Sequence, residues 1–158
     1  MADPKGQKAF PETEYVELYN TTDKAIELNG WSFLYGSKPT VLTALLLDAD
    51  GYVVLYRSGR DIHIDDAGLD LPLDKFPASL VNTGKELALF DPSGKEIDRI
   101  AYEKAKVGIA WERSETGFHL STDERGGTPV PRTLLLTMNQ KIQIVRTLPI
   151  NRVSPRTL

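Results

Sequence analysis

His63 is the residue whose surroundings most resemble a reaction or metal site. Asp61, Asp65 and Asp66 lie within three residues of it, and Asp70 follows shortly after. Carboxylates are common ligands of divalent metals, and a His beside carboxylates suits general acid–base catalysis. The same segment is rich in Gly, Pro and Asp with poor hydrophobic periodicity, which is typical of a solvated polar loop. The sequence therefore predicts a polar loop, and a metal-dependent hydrolase is the alternative interpretation.

Other arrangements that carry chemistry are missing from the sequence. The chain has no Cys, and it contains no nucleophile elbow, zinc-protease helix or phosphate-cradling loop. Asp48–Gly51 (DADG) resembles part of a calcium loop, but Leu46 and Arg57 stand where oxygen ligands are needed, so a hairpin turn is predicted. Asn20–Thr22 is a glycosylation sequon, and turn formation is the other interpretation of it. We expect no catalytic activity and no cofactor.

The elements that position these residues are short segments of alternating apolar and polar residues, with turn signals between them. Residues 14–20 (EYVELYN) alternate apolar and polar residues, which predicts a half-buried strand. Tyr52–Tyr56 is apolar on both faces and predicts a central strand. Residues 59–80 predict a long loop with a short strand at Ile62–Ile64. No stretch shows a helical period, so the pattern favours an antiparallel sandwich or barrel.

Residues 85–102 (KELALFDPSGKEIDRIAY) give the clearest hairpin signal. Pro92 presets φ for a turn, and Gly94 can adopt the left-handed conformation that closes it. Ile97 and Ile100 are three residues apart, which predicts a β-bulge in the return strand. A further strand is predicted around Ile109 and Trp111. The predicted core residues are Val16, Leu18, Leu28, Trp31, Leu55, Leu87, Leu89, Ile100 and Trp111.

Charge is distributed unevenly along the chain. Residues 126–158 carry five basic and no acidic residues, which leaves −8 on residues 1–125 out of the net −3. An acidic body disfavours nucleic acid on the sheet faces, so only the basic tail, with Arg146 and Arg152, could contact an anionic partner. The tail segment of residues 140–150 (QKIQIVRTLPI) has strand composition, and we expect it to pair with a sheet edge of its own sandwich or of a second copy.

The ordered set of residues 14–20 and 25–33, GYVVLYRSG, LVNTGKELALFDPSGKEIDRIAY and STDERGGTP resembles the lamin tail domain family, chiefly its bacterial exported or surface members. The resemblance implies an all-β, immunoglobulin-like antiparallel β-sandwich, here of seven to nine strands, and it carries no catalytic residues. It divides the chain into an engineered or disordered start (1–13), the sandwich (14–129) and a basic tail or linker strand (130–158).

The implied function is a non-catalytic module of a larger exported or cell-envelope protein. Such a module would bind a protein or glycan partner or position a neighbouring domain. Tyr15 and Tyr19 alternate with core residues of one strand, so we expect both to lie outside, either as a contact patch or as cross-strand partners. No apolar run approaches the ~20 residues that a membrane span requires. A homodimer formed through the C-terminal strand is the expected oligomer if that strand pairs between copies.

Overall fold

The computed structural model describes residues 14–60, 69–104, 109–114, 117–122 and 142–148, and in these ranges the chain is all β without a helix. The strands of the described residues are β1 (Tyr15–Asn20), β2 (Ile26–Glu27), β3 (Ser32–Tyr35), β4 (Lys38–Val41), β5 (Leu46–Leu47), β6 (Tyr52–Arg57), β7 (Leu69–Leu73), β8 (Lys85–Phe90), β9 (Glu96–Tyr102), β10 (Trp111–Ser114), β11 (Gly117–Leu120) and β12 (Ile142–Leu148). These twelve strands exceed the predicted seven to nine because several are short segments of two to four residues. The predicted all-β class is confirmed.

Two larger sheets and one small one make up the sandwich. The six-stranded sheet has the order β11-β10-β12-β1-β6-β7, and the four-stranded sheet has the order β4-β3-β8-β9. The small sheet pairs β2 with β5. Every pairing is antiparallel except that of β6 with β7, which is parallel. The predicted antiparallel sandwich therefore carries one parallel strand at its edge.

The hydrophobic core lies between the two larger sheets. Alternate residues of β1 and β6 face alternate residues of β3, β8 and β9, as the two-residue period of a strand requires. Phe33 and Phe76 lie within this core with their rings stacked 6.1 Å apart. All nine predicted core residues are buried, so that prediction is confirmed.

The predicted hairpin is formed by β8 and β9. Asp91 N donates to Lys95 O at 3.0 Å, and Gly94 adopts the expected positive φ of 84°. The Asp91 carboxylate accepts hydrogen bonds from Ser93 N, Ser93 Oγ and Lys95 N, and the bond from the Ser93 hydroxyl is the main reason its pKa is lowered. The pairing register shifts between Leu89 and Phe90, which are opposite Asp98 and Glu96, so the extra residue Ile97 forms the predicted bulge.

The long loop predicted at residues 59–80 contains a strand, β7, that the sequence analysis missed. Leu71 and Leu73 are buried at two-residue spacing, but Pro72 between them argued against a strand. The structure tolerates Pro72 because β7 lies at the edge of its sheet. Its neighbour β6 lies between β1 and β7, as predicted for a central strand. The short strand predicted at Ile62–Ile64 lies outside the described residues.

The turn predicted at Asp48–Gly51 forms, but it does not close a hairpin. Gly51 N donates to Asp48 O at 3.0 Å, and Asp50 has a positive φ of 55°. The flanking strands separate, because β5 pairs with β2 while β6 pairs with β1 and β7. The buried side chain of Asn20 joins these segments, since its Nδ2 donates to the carbonyl oxygens of Lys24, Leu47 and Asp48.

Strand β12 belongs to the segment predicted as a basic tail or linker. It pairs antiparallel with β1 along its whole length and with β10 at two positions, so the predicted pairing with the sandwich is confirmed within the same chain. It lies inside the sheet rather than at an edge. The register with β1 shifts between Glu17 and Leu18, which leaves Val145 as a bulged residue of β12.

Candidate functional site

Most of the predicted acidic cluster cannot be placed. Asp61, His63, Asp65 and Asp66 lie outside the described residues. Asp70 lies in β7, where its Oδ2 accepts a hydrogen bond from Tyr56 Oη at 2.8 Å. Within the described ranges, no three His, Cys, Asp or Glu side chains are grouped so that they could hold a metal ion. The metal-dependent hydrolase thus remains a prediction with no described geometry behind it.

The prediction that Tyr15 lies outside was wrong. Its side chain is only 3% exposed, and the residues from Tyr15 to Leu18 are buried on both faces of β1. Tyr15 is in register with Tyr56, and Tyr19 is in register with Tyr52. Alternation along the sequence separates the two faces of a strand, but it does not tell whether the outer face is covered by other side chains.

Tyr19 acts as a cross-strand partner, which is one of the two roles left open by the sequence. Its ring stacks on Tyr52 with centroids 4.4 Å apart, and its hydroxyl donates to Asp50 Oδ1 at 2.8 Å. Burial, followed by the hydrogen bond with Asp50, raises the pKa of Tyr19 to about 12. The half-buried phenol of Tyr19 therefore contacts Tyr52 in the neighbouring strand and Asp50 in the turn before β6.

The sequon at Asn20 is used for turn formation. Asn20 is fully buried, and its Oδ1 accepts hydrogen bonds from Thr22 N at 3.0 Å and Thr22 Oγ1 at 2.7 Å. Because its Nδ2 is also bonded to three carbonyl oxygens, the amide that a glycan would need is not accessible. The turn interpretation is confirmed.

The predicted basic contacts of the tail divide between described and undescribed residues. Arg146 lies in β12, where its backbone is in register with Glu17 of β1 and Glu112 of β10. Arg152 lies outside the described residues. Arg146 therefore sits between two strands of a sheet rather than on a free tail, and its role in binding stays a prediction.

A buried polar cluster holds β12, and the sequence analysis missed it. The Asp98 carboxylate, 4% exposed, accepts hydrogen bonds from Arg113 Nη2 at 2.6 Å and from Ile144 N at 2.9 Å. Arg113 Nε donates in turn to Ile144 O at 3.1 Å. Both backbone groups of Ile144 are thus bonded to side chains next to the bulge at Val145. A charged residue on the inward face of β9, two positions before Ile100, was the available signal.

The first strand of the six-stranded sheet begins beside the end of its last strand. Tyr15, the first residue of β1, is in register with Leu148, the last residue of β12. Directly paired antiparallel residues have Cα atoms about 5 Å apart, so the segments before β1 and after β12 start side by side. Glu14 fixes the entry, because its Oε2 accepts a hydrogen bond from Leu80 N at 2.8 Å.

Two tyrosines hold the loop that Glu14 contacts. Val81 N donates to Tyr35 Oη at 2.6 Å, and Tyr102 Oη donates to Val81 O at 2.8 Å. The two hydroxyls lie 3.3 Å apart. Burial, followed by the hydrogen bond with Tyr35, raises the pKa of Tyr102. The loop with Leu80 and Val81 is therefore hydrogen-bonded to Glu14, next to the six-stranded sheet, and to two tyrosines of the four-stranded sheet.

The outer face of the four-stranded sheet carries apolar side chains among charges. Leu34 and Phe90 are half-buried and alternate with core residues of their strands, and Val41 at the sheet edge is 62% exposed. Beside them Arg99 forms exposed ion pairs with Glu86 and Glu96, and the hydrogen bond with Glu96 is the main reason its pKa is raised. This face presents a mixed apolar and charged surface.

Proline occupies two outer edges of the larger sheets. Pro39 lies in β4, the edge of the four-stranded sheet, and Pro72 lies in β7, the edge of the six-stranded sheet. A proline removes a backbone donor from an edge and so hinders pairing with another strand. These two edges are poor sites for strand addition.

Two β-sheets packed around one hydrophobic core define an immunoglobulin-like β-sandwich. The lamin tail domain family model matches residues 1–104, about two-thirds of the chain, and the chain belongs to that family. No curated protein and no solved structure matches the chain. Among the described residues, no helix is long and apolar enough to cross a membrane.

Proposed function

We propose that this chain is a non-catalytic interaction module of a larger exported or cell-envelope protein, and that its main task is to position neighbouring domains. The observation that carries the proposal is the pairing of Tyr15 with Leu148 in the middle of the six-stranded sheet. Segments on either side of the module start from adjacent strands. Domains attached to them would therefore be held close together at one end of the sandwich.

The hydrogen bonds at that end support a positioning role. Glu14 is bonded to the backbone of Leu80, and Tyr35 and Tyr102 hold the neighbouring residue Val81. A buried or half-buried hydrogen bond contributes about 1 kcal/mol, and several of them together restrict the direction in which the chain emerges. The outer face of the four-stranded sheet, where Leu34 and Phe90 are half-buried and Val41 is exposed, is the candidate surface for a protein or glycan partner.

The family supports the non-catalytic part of the proposal. Immunoglobulin-like lamin tail domains, to which the chain belongs, are typically non-catalytic. We expect background rates with phosphoester, ester and nucleic acid substrates, with and without divalent metals. An activity that is lost in His63→Ala would favour the hydrolase alternative instead.

Two pyrene labels can test the adjacency of the flanking segments in solution. The chain has no Cys, so Thr13→Cys and Pro149→Cys supply the only two thiols for labelling. Labels that touch give excimer emission, and we expect strong excimer emission from this pair. The matched control joins Thr13→Cys to Ala49→Cys, because Ala49 lies in the turn next to the far end of β1. Equal emission from both pairs would refute the proposed geometry.

A further inference from the structure

Strand β12 is held in a slot between β1 and β10 by contacts that recognise its backbone. Asp98 accepts from Ile144 N, and Arg113 donates to Ile144 O. Side chains that bond both the N–H and the C=O of one residue recognise an extended strand without regard to most of its side chains. Ile144 itself is fully buried in the core, which adds a requirement for an aliphatic residue at that position.

The chain that leads to β12 is much longer than its return path requires. Nineteen residues, 123–141, separate Thr122 from Ile142. An extended chain of that length spans roughly 60 Å, whereas a seven-residue strand is about 23 Å long. Such a connection allows β12 to return to its own sheet or to reach the sheet of a neighbouring molecule.

We propose that the slot between β1 and β10 is a binding site for an extended aliphatic strand, filled by β12 of the same chain and open to β12 of a second copy. An identical strand from another molecule makes every contact that β12 makes in its own sheet. The prolines of β4 and β7 hinder addition at two of the four outer edges of the larger sheets, whereas the slot offers backbone partners on both of its sides, from β1 and β10. Exchange of this kind is a low-cost route to a dimer.

The connection explains why the chain's own strand has the advantage in dilute solution. Because β12 is covalently attached to the sheet that it fills, its binding is intramolecular, and another strand competes only when copies are crowded or when the connection is cut. Copies presented together on a longer protein or on a surface meet the first condition. The inference goes beyond the proposed positioning role and does not depend on it.

A cut chain tests the site directly. A specific protease sequence placed between residues 123 and 141 allows the folded full chain to be cleaved, after which a fluorescent peptide of residues 140–149 (QKIQIVRTLP) is added in mild urea. We expect the chain to stay folded and to exchange its cut strand for one peptide per molecule. A cut chain that unfolds, or one that takes up no peptide, would overturn the proposal.

Backbone recognition predicts which changes matter. Arg113→Gln should weaken the peptide by about tenfold or more, because it removes a charge-assisted hydrogen bond to Ile144 O. Arg99→Gln is the matched control, since Arg99 forms only exposed pairs on the other sheet, and it should leave affinity within about twofold. A peptide N-methylated at Ile144 cannot donate to Asp98. It should bind the unchanged protein about as weakly as the unmodified peptide binds the Arg113→Gln variant. Equal binding by all of these would contradict recognition by Asp98 and Arg113.

A mixing experiment tests the second copy as the occupant. Uncut chains labelled with pyrene only at Thr13→Cys are mixed at high concentration with chains labelled only at Pro149→Cys. Excimer emission in this mixture requires β12 of one molecule to pair with β1 of another, and we expect it to grow with concentration. Peptide uptake without any excimer in the mixture would overturn the second copy as the occupant.

Discussion

Removing the Asp98 carboxylate should destabilise the protein more than removing an exposed charge. In Asp98→Ala, the Arg113 guanidinium loses its partner at 2.6 Å and Ile144 N loses its acceptor. Taking one partner from a buried ion pair costs about 3–5 kcal/mol, and the 18% exposure of the Arg113 side chain favours the lower limit. We therefore expect a loss of about 3 kcal/mol in the free energy of unfolding.

Urea unfolding followed by Trp fluorescence measures this loss. With a denaturant dependence of about 2 kcal/mol per molar urea, the midpoint should fall by about 1.5 M. Arg99→Ala is the control and should leave the midpoint nearly unchanged, because its ion pairs are exposed and screened by solvent. The double variant Asp98→Ala, Arg113→Ala should lose less than the sum of the two single changes. A midpoint near that of the control, or additive losses, would refute the claim that this cluster anchors β12.

Three further changes test other parts of the fold. Trp111→Ala should lower the free energy of unfolding by about 3–5 kcal/mol, since Trp111 is buried against Tyr102, and a loss below about 1 kcal/mol would mean that it is not a core residue. Tyr19 stays protonated to about pH 12 when folded but only to about pH 10 when unfolded, so its contribution to stability is complete below pH 10 and is lost as the pH rises through 12. Tyr19→Phe should therefore flatten the fall of stability between pH 10 and 12 in alkaline urea titrations, and an unchanged slope would argue against the shift. Gly84→Ala should destabilise the protein more than Gly94→Ala does. Both glycines have a positive φ, but only at Gly84 would the added Cβ lie 2.7 Å from a backbone oxygen. Equal melting temperatures of the two variants would contradict this.

Local patterns in the sequence determined most of the longer strands, the core face and the main hairpin, although they missed β7. Alternation marked Val16 and Leu18 as inward, because a strand turns every second side chain to the same face. Pro92 and Gly94 fixed the turn between β8 and β9, since each restricts or permits a particular backbone conformation. The three-residue spacing of Ile97 and Ile100 revealed the bulge, because it breaks the two-residue period of a regular strand. Each of these conclusions depends only on residues that are close in the sequence.

Tertiary structure alone decided which strands are neighbours and which outer-face side chains are buried. The burial of Tyr15 on the outer face of β1 depends on residues that are distant in the sequence. Likewise, β12, from the far end of the chain, pairs beside β1, and no local pattern encodes a partner so distant. The same pairing brings Ile144 to Asp98 and Arg113, three residues from three separate strands. A charge on an inward face signalled that Asp98 needs a partner, but only the assembled sheets could supply one, because burial and hydrogen bonding depend on the three-dimensional neighbours of a residue rather than on its sequence position.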